Sequence, residues 1–274
     1  MAKTQQHEQP PAKPIIPVKF QDIVCIVLIL FTLIIFFWKA CYTNNTLQAS
    51  DAISYNSFMP FLQQEEKAHE FPLWIPTIFS GMPSYGSLML TGDRWYDLTV
   101  WSYQKIEAVA KTLSSNPDIF RIVFEYWVMG IGLFLYMRSK KVGRMIALFC
   151  ALAFVYSSFI IVFVMIGHNT KVWALMWAPY ILLLLDMLTV RFKWLYAVLL
   201  AVAVHLCIES THVQMVFNIF FGFGVYLLYQ LIVAALKKEN VLPLIKVIAA
   251  FGICAGIGFG MAADRYLSVQ EYNS

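Results

Sequence analysis

Charge is scarce in this chain. Only 13% of its 274 residues are Asp, Glu, Lys or Arg, about half the share of a water-soluble domain. A disordered chain needs charge and polarity to stay solvated, so that class is excluded. A nucleic-acid binder needs a dense basic face, and none is present. The five cysteines have neither CxxC nor Cys/His ligand spacing. Cys25, Cys150, Cys207 and Cys254 lie inside apolar runs and Cys41 ends one. They read as small buried residues, not as a disulfide scaffold or a redox centre. HExxH is missing, and so is any internal repeat.

What is present is apolar. Sixty per cent of the residues are apolar and the mean hydropathy is +0.66. Such an excess is expected where lipid replaces water over much of the surface. Apolar runs at 23–40, 119–137, 145–166, 172–190, 194–208, 213–236 and 244–262 predict an all-α polytopic membrane protein of about seven transmembrane helices. The fifth run is short. The first has no small-x-small cleavage site after it, and Lys39 before Cys41 spoils a lipoprotein signal.

The positive residues set an orientation. Lys3, Lys13, Lys19, Arg138, Lys140, Lys141, Arg144, Arg191, Lys193, Lys237, Lys238 and Lys246 are twelve of the 20 Lys and Arg residues. With seven spans all of them fall on one side, which the positive-inside rule makes cytoplasmic. The organisation expected is a cytoplasmic tail at 1–22, a spanning module at 23–262 with an outer loop at 42–118, and an outer tail at 263–274. A chain ending on that tail reads as the front part of a longer protein.

An outer loop this long is expected to be structured. Ala52, Tyr55, Met59 and Leu62 repeat at helical spacing, and so do Ile106, Val109, Ala110 and Leu113. Both read as amphipathic interfacial helices. Between them, Phe71 to Pro83 holds three prolines and a glycine, which forbid a regular helix. Its aromatics, Trp74 among them, read either as an interfacial belt or as a cleft wall.

Several polar groups fall at the outer face. Asp51 is either a solvated acid or a functional carboxylate. Arg121 and Glu125 share a helix face and could be a structural pair. Gly167-His168-Asn169-Thr170-Lys171 joins two spans, and Lys171 could simply snorkel. His205, Glu209 and His212, followed by Gln214, allow a metal site but fit a hydrogen-bonded cluster as well. Ionisable groups at a membrane are functional hypotheses by default. Asp186, near the cytoplasmic side, is expected to pair with Arg191 or with water.

Ser50-Asp51, Pro72-Leu73-Trp74, Phe79-Ser80-Gly81-Met82-Pro83, the Gly167 to Lys171 turn and His212-x-Gln214 together resemble the YfhO family of bacterial membrane proteins, within the GT-C glycosyltransferases. The resemblance runs from the first span to the end of the chain. It implies a GT-C-like module in the bacterial plasma membrane, taking a sugar from a polyprenyl-phosphate donor. The acceptor implied is an envelope glycopolymer or lipid on the outer side. Asp51 carries over as catalytic base, with Asp93 its rival. A base within reach of the acceptor hydroxyl is worth about 10² to 10⁴ in rate. The leaving phosphate needs positive charge or donors, for which His168, Lys171 and Arg121 are candidates. Asn169, Glu209, His212, Gln214 and Trp74 are candidate substrate contacts. The resemblance leaves metal dependence open: Asp51 and Asp93 could share a divalent ion, but nothing in their spacing requires one. The alternatives are a lipid or solute transporter and a non-catalytic scaffold.

Overall fold

A computed structural model describes residues 17–43, 49, 53, 57–84 and 96–272. Asp51 and Asp93 lie outside these residues, as do Ala52 and Tyr55 of the first expected interfacial helix.

The described chain is an all-α membrane protein with one small hairpin. Helix α1 (Val18–Phe36) is followed by a short α2 (Trp38–Tyr42) and by α3 (Met59–Lys67). Strands β1 (Trp74–Ile75) and β2 (Met82–Pro83) pair antiparallel. Then come α4 (Leu98–Lys111), α5 (Pro117–Ser139), α6 (Arg144–Val155), α7 (Ser158–Ile166), α8 (Asn169–Val190), α9 (Trp194–Ile208), α10 (Val213–Leu236), α11 (Leu242–Met261) and α12 (Ala263–Tyr272).

Among the described residues, six helices are long and apolar enough to cross a bilayer, counting α6 and α7 as one, and α9 is a shorter apolar helix. At 15 residues α9 extends only about 22 Å. Its last six residues, Ala203 to Ile208, are all buried, so it is enclosed by protein and has no lipid face there. The outward faces of α1, α10 and α11 carry exposed Phe31, Ile35, Phe217, Phe221 and Ile253. In water such faces would aggregate; in a bilayer they are the solvent contact.

Boundaries differ from the sequence reading for identifiable reasons. Helix α1 begins at Val18, before the apolar run, because Asp22 is paired with Arg144 (2.7 Å) and Arg138 (3.3 Å). The third expected span breaks at Tyr156–Ser157, where Ser157 is extended and α7 restarts. Asp186 is held by Lys140 and by the Tyr226 hydroxyl (2.6 Å), not by Arg191. The expected tail is helical and forms α12.

Helix α8 is the common wall of two apolar cores. One core joins it to α1, α5, α6 and α7; the other joins it to α9, α10 and α11. Aromatic donors stitch the helices by reaching backbone carbonyls. Trp127 Nε1 donates to Ile26 O (2.9 Å), Tyr126 Oη to Ile160 O (2.8 Å), Trp173 Nε1 to Leu206 O (2.8 Å) and Tyr180 Oη to Val128 O (2.6 Å). Their polar tips could not be left unpaired in hydrocarbon. Helices α5 and α8 approach closely at Gly132, where a Cβ would sit 2.7 Å from the Tyr180 ring and 3.1 Å from Pro179 Cβ.

The loop segment 71–83 is non-helical, as its prolines require. Gly81 closes the hairpin turn at φ 112°, and a Cβ there would overlap the Trp74 indole. Ile75 is buried, while Trp74 and Phe79 point outward. In the loop's second helix, Ile106 and Val109 form an exposed apolar edge that Leu113 continues just past its end, and Val100, Tyr103 and Glu107 face the bundle.

The close approach at Gly132 gives a prediction. Gly132→Leu destabilises by about 1–3 kcal/mol through overpacking, read as a lowered Tm in detergent. Gly252→Leu, where no heavy atom lies within 4 Å, leaves Tm nearly unchanged.

Candidate functional site

Two ends of the bundle carry the polar groups. The end near the N-terminus holds Asp22 with Arg138 and Arg144, and Lys140 with Asp186. The opposite end holds almost every sequence-predicted site residue that the structure describes.

At that end Asp97 is the hub. It stands in extended conformation as the N-cap of α4. Its Oδ1 accepts from the Thr99 and Val100 amides (both 3.1 Å) and from the Thr99 hydroxyl (2.7 Å). These satisfy donors that a helix start leaves open. Its Oδ2 faces His205 Nε2 at 2.5 Å. Burial alone would raise the Asp97 pKa. The hydrogen bonds from Thr99, Val100 and His205, and the His205 charge, outweigh it and hold the carboxyl below its ordinary value.

His205 sits in the last turn of α9, 2% exposed, with Nδ1 3.3 Å from the Gly258 carbonyl oxygen. The helices meet here because residue 258 has no side chain. A Cβ would lie 2.7 Å from Ile208 Cδ1 and 3.3 Å from His205 Cα. Glu209 caps the same helix. Arg265 of α12 reaches its Oε2 at 2.9 Å and its carbonyl at 3.2 Å. Tyr266 donates to Ile208 O at 2.7 Å, and burial, with Glu209 nearby, pushes its phenol up to about 12. A cation and a donor thus serve the carbonyl end of α9, where the helix dipole favours them. Tyr96 adds a bond to Asp264 (3.0 Å). Ligand atoms of Asp97, His205 and Glu209 lie within 4.8 Å of one another.

A second group is basic. Gly167, at φ 94°, ends α7, and the His168 amide bonds back to Phe163 O (2.8 Å). This left-handed cap turns the chain directly into α8. It sets His168 and Lys171 beside His212, whose pKa is lowered by burial and then by the charges of Lys171 and His168. His212 Nδ1 accepts the Met215 amide at 3.3 Å as the N-cap of α10. The Lys171 ammonium lies 5.3 Å above the Phe163 ring. Beside these runs an apolar groove of about 690 Å³, between residues 35–40 and Ile161, Val164 and Met165 of α7, with Lys39 on its lining.

A third group surrounds Tyr103. Glu107 pairs with Lys111 (2.8 Å), and Arg121 lies 3.8 Å from the buried Glu125. Tyr103 packs on Trp173 and Trp177.

The structure therefore divides the expected residues. His168, Lys171 and His212 come together, with Asn169 opening α8 beside them. Glu209 joins His205 as expected, but Asp97 completes that cluster in place of His212. Arg121 belongs to the Tyr103 group, Gln214 is exposed in the first turn of α10, and Trp74 packs in the hairpin. Asp97 was not anticipated. An Asp directly before Leu98-Thr99-Val100 is a helix-start signal, but its partner lies 108 residues away.

Comparison of the chain with protein-family models, curated proteins and solved structures returns no match.

Two outcomes are expected. Arg265→Met leaves Glu209 buried without its cation and costs about 3–5 kcal/mol, and adding Glu209→Gln recovers much of it; denaturation of the single and double variants measures both. Acid destabilises the fold through His212. Its folded pKa is depressed, so the unfolded chain binds the proton better, and stability falls as pH drops through the ordinary histidine range. Protonation also removes the acceptor that caps α10. His212→Gln flattens the fall in Tm between about pH 7 and 5.5.

Proposed function

We propose that this chain is a GT-C-type glycosyltransferase of the YfhO kind, moving a sugar from a polyprenyl-phosphate donor to an envelope glycopolymer or glycolipid. The reaction runs at the membrane face opposite the N-terminus, in a bacterial plasma membrane with the N-terminus cytoplasmic.

One observation carries the reading. An apolar groove and a cluster of His168, Lys171 and His212 occur at the same end of the bundle. A prenyl phosphate has both properties, a long apolar chain and a terminal anion. The groove suits the chain, and the basic cluster suits the phosphate, whose charge grows as the glycosidic bond breaks. The exposed edge of α4, with Ile106 and Val109, and Leu113 just beyond it, suits a helix lying in the headgroup layer.

The chemistry is a direct displacement at the anomeric carbon. The acceptor hydroxyl attacks, a carboxylate takes its proton, and the prenyl phosphate leaves toward Lys171 and His168. Asp51 is the proposed base, with Asp93 its rival; both belong to the same outer segment.

The test uses the complete gene in its own host. Asp51→Asn is compared with wild type at equal protein level, and purified envelope glycopolymers and glycolipids are analysed by mass spectrometry. Loss of one sugar substituent, with a rate effect of about 10² or more, is expected. An unchanged envelope beside a defect in the gene deletion removes Asp51 from the role. Lys171→Ala is expected to weaken the same transfer by a smaller factor.

A further inference from the structure

The Asp97–His205–Glu209 cluster shares no residue with the proposed donor site, and the hydrogen-bond pattern around His205 is its most informative feature. The Gly258 carbonyl can only accept, and Nδ1 lies 3.3 Å from it, so one tautomer places the hydrogen on Nδ1. In a neutral ring Nε2 is then a lone pair. Yet Nε2 faces Asp97 Oδ2, another acceptor, at 2.5 Å in a buried position. Two acceptors in such contact require a positive centre between them. Glu209, one turn further along the same helix, brings a third ligand atom to within 4.8 Å of the other two. A proton on Nε2 satisfies the first pair alone, whereas a metal ion uses all three atoms.

The surroundings match those of a metal-binding histidine. Such a ring donates its second N–H to a carbonyl or carboxylate, which fixes the tautomer and the ring plane. The Gly258 carbonyl does this, and the bare α-carbon of Gly258 is what lets α11 come near enough. Asp97 is itself held by Thr99 and Val100, so one oxygen is anchored and the other is aimed. Arg265 orients Glu209 in the same way.

We propose that Asp97, His205 and Glu209 form a buried three-ligand site for a divalent transition-metal ion of the Zn²⁺ class, which clamps the start of α4 to the end of α9. One imidazole and two carboxylates suit Zn²⁺ and Mn²⁺ better than Mg²⁺ or Cu⁺. Binding replaces the proton on Nε2 and releases it. It opens the 2.5 Å contact to the roughly 3.4 Å that ligand atoms about 2.1 Å from a tetrahedral ion require. All three residues are at least 95% buried, so the role is structural. This inference does not depend on glycosyl transfer.

The test is metal content. The full chain is purified in detergent without chelator and measured by inductively coupled plasma mass spectrometry, then stripped with a chelator and titrated with Zn²⁺ and Mn²⁺. About one ion per chain is expected, with a rise in Tm on reloading. His205→Ala and Asp97→Asn lose that uptake, whereas His69→Ala on the surface keeps it. Because Asp97→Asn could unfold the protein, uptake by the wild type is decisive by itself. A wild-type chain that carries no ion and takes none up overturns the proposal, leaving a protonated His205 paired with Asp97. Uptake that persists in His205→Ala overturns it as well.

Discussion

A polar group in hydrocarbon must find its partner inside the protein, and nearly every feature of this fold follows from that. The backbone answers by becoming helix. The indoles and phenols of Trp127, Trp173, Tyr126 and Tyr180 answer by donating to carbonyls of neighbouring helices. These bonds cross between elements, so they fix helix positions that apolar packing alone would leave free to slide. Lipid offers no hydrophobic drive between helices, which makes such directional contacts, and close approaches like Gly132 against Tyr180, correspondingly important.

The same constraint sorts the charges. At the end near the N-terminus, acids meet basic residues of the short connections, Asp22 with Arg138 and Arg144, Asp186 with Lys140. Asp22 and Asp186 thus each have an evident structural partner. At the opposite end the pattern changes. Acids are buried deeper, His168, Lys171 and His212 gather, and an apolar groove lies alongside. Burial first, and then the charges of Lys171 and His168, disfavour a charged imidazole there, and the depressed His212 pKa is the sign of that cost. An anionic lipid headgroup would relieve it, which is the physical root of the proposed function.

The spans were legible because lipid exposure leaves long apolar runs, although helix ends moved and one span broke in two. Helix α1 could start early because Asp22 gains two arginines from residues 138 and 144, which no local pattern announces. The break at Ser157 was hidden inside an unbroken apolar run. Around the site, local signals were partly readable: the Gly167 cap, the Arg121–Glu125 spacing and the His205–Glu209 turn all appear in sequence. The pairing of Asp97 with His205 does not, since 108 residues separate them and the contact exists only once α4 folds back over α9. The role of Arg265 was equally hidden, because a polar segment after the last span gives no hint that it caps α9.

The proposed function rests on the claim that the groove and the basic cluster hold a prenyl phosphate. Native mass spectrometry of the detergent-released chain, offered a polyprenyl phosphate and an anionic phospholipid in equal amounts, addresses it directly. The account predicts retention of one polyprenyl phosphate in preference to the phospholipid, with Lys171→Ala reducing that preference by about tenfold, the equivalent of 1.4 kcal/mol. Equal retention of the two lipids, or a preference unaffected by Lys171→Ala, would contradict it.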